Sequence, residues 1–136
     1  MRLVYLESPY AGDVETNVAY ARACLRDSLA RGEAPFASHL LYTQPGVLRD
    51  DVPAERRQGV EAGLAWGHAA AATVVYTDRG ISPGMKLGIE TAQAVGRPVE
   101  YRTLGAGHAG GPAGSRRRPG SESAQQKTRN DSAETV

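Results

Sequence analysis

A chain of 136 residues with a formal net charge of +1 has the length of one domain, and its near-neutral balance gives no global electrostatic case for nucleic acid or an anionic membrane. A single cysteine, Cys24, rules out an internal disulfide and suits a reducing, cytoplasmic compartment; set within a helical pattern, it reads as a packing residue. No signal peptide precedes the first expected strand, and the longest apolar run, Ala69 to Ala72 with Val74 to Tyr76 behind Thr73, is too short to span a bilayer.

In chain order, Arg2 to Leu6 reads as a strand and Glu7 to Asp13 as a loop. Val14, Val18, Ala21, Leu25 and Leu29 then recur at helical spacing until Gly32 stops the pattern. Ala34 to Ser38 is a short second strand, and His39 to Val52 a long connection containing Pro45-Gly46. Asp51 and Pro53 start the next helix, with Val60, Leu64, Gly67 and Ala71 on one face. Ala72 to Tyr76 is the third strand. Ser82-Pro83 opens a third helix, with Met85, Ile89 and Ala92 inward and Gly96 at its close; Val99 to Tyr101 is the last strand.

Strands alternating with helices imply a parallel sheet joined by right-handed crossovers, and four of them suggest a small flavodoxin-like α/β fold of order 2-1-3-4. This domain covers residues 1-104. Residues 105-136 turn Gly-, Arg-, Ser- and Gln-rich with almost no large apolar residue, and are expected to be a disordered tail. Arg116, Arg117 and Arg118 make a weak phosphate footprint and read as solvated, which argues against a nucleic-acid partner.

The strand order locates a site. In a 2-1-3-4 sheet the crossovers diverge beside strands one and three, and a crevice opens above their carboxyl ends. The loops meeting there are E-S-P-Y-A-G-D and T-D-R-G-I-S-P-G-M. Both lead into helix N-termini, whose free amides and dipole favour an anion such as phosphate. Each residue alone also fits ordinary turn and capping chemistry; the convergence of the two loops is what suggests a site.

Y-L-E-S-P-Y-A-G-D-V-E-T-N-V, P-F-A-S-H-L-L-Y-T-Q, P-A-E-R-R-Q-G, D-R-G-I-S-P-G-M-K-L-G-I-E-T-A and G-R-P-V-E-Y follow in order at compatible spacing. Together they resemble a phage- and actinobacteria-associated branch of the nucleoside 2-deoxyribosyltransferase-like superfamily, over residues 1 to about 104. The resemblance implies a pocket for a nucleoside or nucleoside monophosphate, and cleavage or transfer of an N-glycosidic bond without metal or organic cofactor. Homo-oligomers that complete each other's sites also belong to what it implies. By position, Ser8, Pro9, Tyr10, Gly12 and Asp13 would wall the sugar and base, and Asp78 would address sugar hydroxyls. Ser82, Gly84 and Met85 would surround the sugar or its 5′-phosphate, and His39 would stand at the end of strand two. Alone, a histidine such as His39 is more often a structural hydrogen bonder, a margin its place at a strand's carboxyl end narrows, and Arg56 and Arg57 read as a solvated helix face rather than a phosphate clamp.

One departure divides the functional readings. The superfamily's glutamate nucleophile, in the spacing Gly-Thr-x-x-Glu, falls here on Gly88 when counted from Gly84. Glu90 lies two residues further, about 200° around an ideal helix, and is expected to face elsewhere. The chain is then either an N-glycosidase or deoxyribosyltransferase using another carboxylate (Glu90, Glu7, Asp13, or one from a neighbouring subunit), or a nucleotide-binding module that has lost the nucleophile.

Overall fold

A computed structural model describes residues 1–105 and Gly107; the rest of the expected disordered tail lies outside the described residues. Eight elements follow one another as β1 (Arg2–Glu7), α1 (Val14–Ala30), β2 (Glu33–Phe36), α2 (Ser38–Leu41), α3 (Pro53–Gly67), β3 (Ala72–Tyr76), α4 (Pro83–Ala94) and β4 (Val99–Arg102). The strands form a parallel sheet of order β2-β1-β3-β4, the flavodoxin-like arrangement expected from the alternation. Among the described residues, no helix is long and apolar enough to cross a membrane.

Alternation along the central strands divides the interior in two. Val4 and Leu6 of β1 and Val74 and Tyr76 of β3 turn to one face, packing with Tyr20 and Cys24 of α1. On the other face Val75 packs with Met85 and Ile89 of α4. Glu7 pairs in register with Val75, and Tyr5 with Thr73.

Several local expectations shift. Of the expected α1 set Ala21 is buried and Leu25 packs against the core, but Val14 and Leu29 are exposed, and α1 also buries Asn17, Tyr20, Cys24 and Ser28. Its inward stripe is partly polar because those groups are bonded: Asn17 Nδ2 donates to the carbonyls of Tyr10 and Ala11, and Ser28 Oγ to Glu33. On α3 Gly67 is buried as expected, together with Gly63, while Val60 is exposed and Ala71, also exposed, lies beyond the end of the helix. The second strand runs from Glu33 to Phe36 rather than from Ala34 to Ser38, and the long connection begins with the short helix α2. Glu7, expected in the loop, is the last residue of β1. Met85, Ile89 and Ala92 face inward as their spacing predicts.

Three helical glycines each stand over a polar side chain. A Cβ at Gly63 would overlap Ser38 Oγ and lie 2.6 Å from the Tyr5 hydroxyl. One at Gly67 would meet the Arg97 guanidinium at 3.2 Å. At Gly88 it would overlap Glu7 Oε2. Glycine there serves close approach rather than turn geometry.

Candidate functional site

A cavity of about 250 Å³ opens beside the tip of β1, between the β1–α1 loop, α2, α3 and the start of α4. That volume is just below the usual range for small-molecule clefts, about 300–1,000 Å³. Its floor is Tyr5 and Glu7, the two β1 side chains that alternation sends to this face.

Glu7 is 8% exposed, and among the described residues no protein donor bonds its carboxyl. Burial raises this carboxyl to about 8, against a smaller opposing pull from the Arg97 guanidinium. The neighbouring polar groups are satisfied. Tyr5 and Ser38 share a hydrogen bond of 2.7 Å, and Arg97 donates to Thr73 Oγ1 and to the Gly67 carbonyl. A carboxyl in this state is protonated through most of the neutral range and offers the cavity one donor and free acceptor lone pairs.

Ser8, buried at 4% exposure, bonds His39 Nε2 at 2.7 Å, and burial lowers the His39 pKa to about 4. The imidazole is therefore neutral at physiological pH, and the pair fixes the loop after β1 against α2. At the opposite wall Ser82 caps α4 by accepting from the Met85 amide, while its own amide donates to Met85 Sδ. Arg56 reaches the wall from α3 and pairs with Asp50 at 3.5 Å. Glu55 also lines it, its Oε1 accepting from the Arg49 amide at 2.7 Å.

Of the residues expected at the site, Ser8, Tyr10, His39, Ser82, Gly84 and Met85 line the cavity together. Pro9, Gly12 and Asp13 do not. Asp13 instead caps α1 by accepting from the Thr16 amide, and Gly12 takes the positive φ of the preceding turn. The two acids assigned to chemistry also lie off the cavity lining. Glu90 is exposed on the outer side of α4, as the helical count requires. Asp78 turns to the other face of the sheet, where its carboxylate accepts from Tyr20 and from the amides of Leu104 and Gly105. These bonds hold it below the ordinary carboxylate range despite partial burial.

Sequence reasoning named Glu7 of the floor and Arg56 of the α3 wall but missed Tyr5 beside Glu7, Ser38 of α2, and Gly59 and Leu64 of α3. A signal for them existed. Tyr5 and Glu7 share the parity of β1, and Gly59 and Gly63 lie one turn apart on α3.

No curated protein and no solved structure matches the chain. Residues 2–102, from the first strand to the last, match the model of a domain of unknown function, DUF7768, and the chain belongs to that family.

Proposed function

We propose that the cavity takes a nucleoside or nucleoside monophosphate and that the protein cleaves or transfers its N-glycosidic bond. The observation that carries this reading is a buried carboxyl, Glu7, on the floor of a switch-point cavity whose walls are Ser8, His39 and the start of α4. Glycoside chemistry needs a carboxylate close to the anomeric carbon, in a site that limits access of water. Walls that combine apolar Met85 and Leu64 with Ser8, Tyr10, Ser82 and Arg56 suit a ligand with a planar base, a hydroxylated sugar and an anionic end. The resemblance in sequence points to the same substrate class.

A second reading, a nucleotide-binding module without turnover, is favoured by Gly88 at the superfamily's glutamate position. One experiment separates the two. The protein is incubated with a panel of ribo- and deoxyribonucleosides and their monophosphates, with melting temperature and released base measured in parallel. Base release supports the enzyme. Stabilisation without release supports the binding module, and neither effect with any compound refutes both.

A further inference from the structure

We infer that Glu7 is the catalytic carboxylate of this chain, delivered from the tip of β1 into the space that Gly88 leaves open beneath α4, so that the two positions work as a pair. The inference rests on reading the cavity as an N-glycosidic site, and it names the group that the sequence left unassigned.

The geometry is specific. A Cβ at Gly88 would overlap Glu7 Oε2 and stand 2.5 Å from Glu7 Cδ. The carboxyl therefore occupies the volume into which a side chain from that turn of α4 would grow. It arrives from the strand instead of the helix, and any residue larger than glycine at 88 must expel it.

Its surroundings separate it from the other polar groups that lie beneath helical glycines. Tyr5 under Gly63 and Arg97 under Gly67 are bonded to protein atoms. Glu7 under Gly88 is bonded to none of the described residues, and an unsatisfied buried carboxyl is costly enough to call for a role. The remaining acids of the region are committed. Asp50 pairs with Arg56, Glu55 accepts from the Arg49 amide, Asp13 caps α1, and Asp78 holds Tyr20 and the chain after β4. Glu7 alone among them is buried, in the cavity and free of a donor among the described residues.

In the step assigned to it, an ionised Glu7 oxygen forms a bond to C1′ while the C1′–N bond breaks. The electron pair leaves with the base, which takes a proton from water. A water molecule, or the nitrogen of a second base, then attacks C1′; the ester bond to Glu7 breaks, its oxygen recovers the electron pair, and the attacking group releases a proton. Hydrolysis consumes one water and yields free base and sugar, with no oxidant or metal required.

The test uses the full chain and a nucleotide that the panel shows to be cleaved. Glu7→Gln should lower base release at least about 10³-fold, the scale of losing a nucleophile, while stabilisation by the same nucleotide persists. A 2′-fluoro-arabino analogue of that nucleotide should leave a sugar adduct, located by peptide mass spectrometry on Glu7. Wild-type turnover in Glu7→Gln, or an adduct on another residue, would overturn the assignment and leave the proposed function standing. Absence of base release from the wild type across the panel would remove both. The pairing has its own readout, independent of turnover. Gly88→Ala should lower the melting temperature in the wild-type background and lower it much less beside Glu7→Ala. Additive effects of the two changes would show that the positions do not share space.

Discussion

The hydroxyl of Tyr20 donates to Asp78 Oδ1 at 2.7 Å and accepts from the Asp78 amide at 2.9 Å, locking the tip of β3 to the middle of α1. The same carboxylate receives the amides of Leu104 and Gly105, so it also fixes the chain leaving β4. Asp78→Ala leaves these donors without an acceptor and should cost about 2–3 kcal/mol in urea denaturation, with Tyr20→Phe costing about 1 kcal/mol. Full stability in Asp78→Ala with loss of nucleotide-induced stabilisation would instead assign Asp78 to sugar hydroxyls.

Glu7 makes stability fall as pH rises. Its folded pKa of about 8 lies above the ordinary value of 4.5, so the folded state binds the proton more tightly than the unfolded chain. That contribution is complete below about 4.5, declines above it, and is lost through 8. The charged and titratable groups around the carboxyl are Arg97, which opposes the shift, and Tyr5, which burial raises to about 12. His39, Asp50, Glu55 and Arg56 share the cavity. Glu7→Gln should therefore melt above the wild type at pH 8.5 and close to it at pH 5, an advantage on the order of 5 kcal/mol at most. A constant difference across that range would place the titration elsewhere. Under the proposed function, wild-type base release should also climb towards pH 8 as the nucleophile ionises.

His39 acts on the acid side. Its folded pKa of about 4 lies below the ordinary 6.5, so its contribution is present above 6.5 and lost as pH falls through 4. His39→Gln, which offers Ser8 a polar partner without titrating, should flatten the fall in melting temperature between pH 6.5 and 4. An unchanged acid limb would show that carboxylates such as Glu33 dominate it.

Arg102 and Glu33 meet at 2.6 Å with side-chain exposures of 7% and 8%, joining the edge strands on one face of the sheet. Ser28 adds a bond to Glu33, and the Tyr76 hydroxyl accepts from Arg102. The guanidinium holds the Glu33 carboxyl down at about 2. Arg102→Leu leaves Glu33 with Arg2 at 2.9 Å and Ser28 as partners, so it should cost about 2–3 kcal/mol, less than stranding the charge outright, and Arg102→Leu with Glu33→Leu should recover part of it. A loss below about 1 kcal/mol would reclassify the pair as a surface contact.

The strand order, the parallel sheet and the inward face of α4 were legible in the sequence because each rests on local periodicity: β-branched runs, Gly stops, Ser-Pro starts and apolar residues at helical spacing. Where apolar spacing misled, at the two ends of α1, the buried stripe is partly polar. Asn17, Tyr20 and Ser28 are interior only because Tyr10, Asp78 and Glu33 come to meet them from other elements. No window of neighbouring residues contains such partners.

The cavity divides the same way. By itself the sequence placed Ser8, Tyr10, His39 and Ser82 at strand and helix ends, because turn and capping chemistry is written within a few residues. It also showed that Gly88 carries no carboxylate. That Glu7 fills the space over Gly88, 81 residues away in number, while Asp78 is spent on Tyr20, was decided only by tertiary structure. Which carboxyl is buried and unbonded depends on the donors that other elements bring within hydrogen-bond distance, and on which face of the sheet each strand parity points.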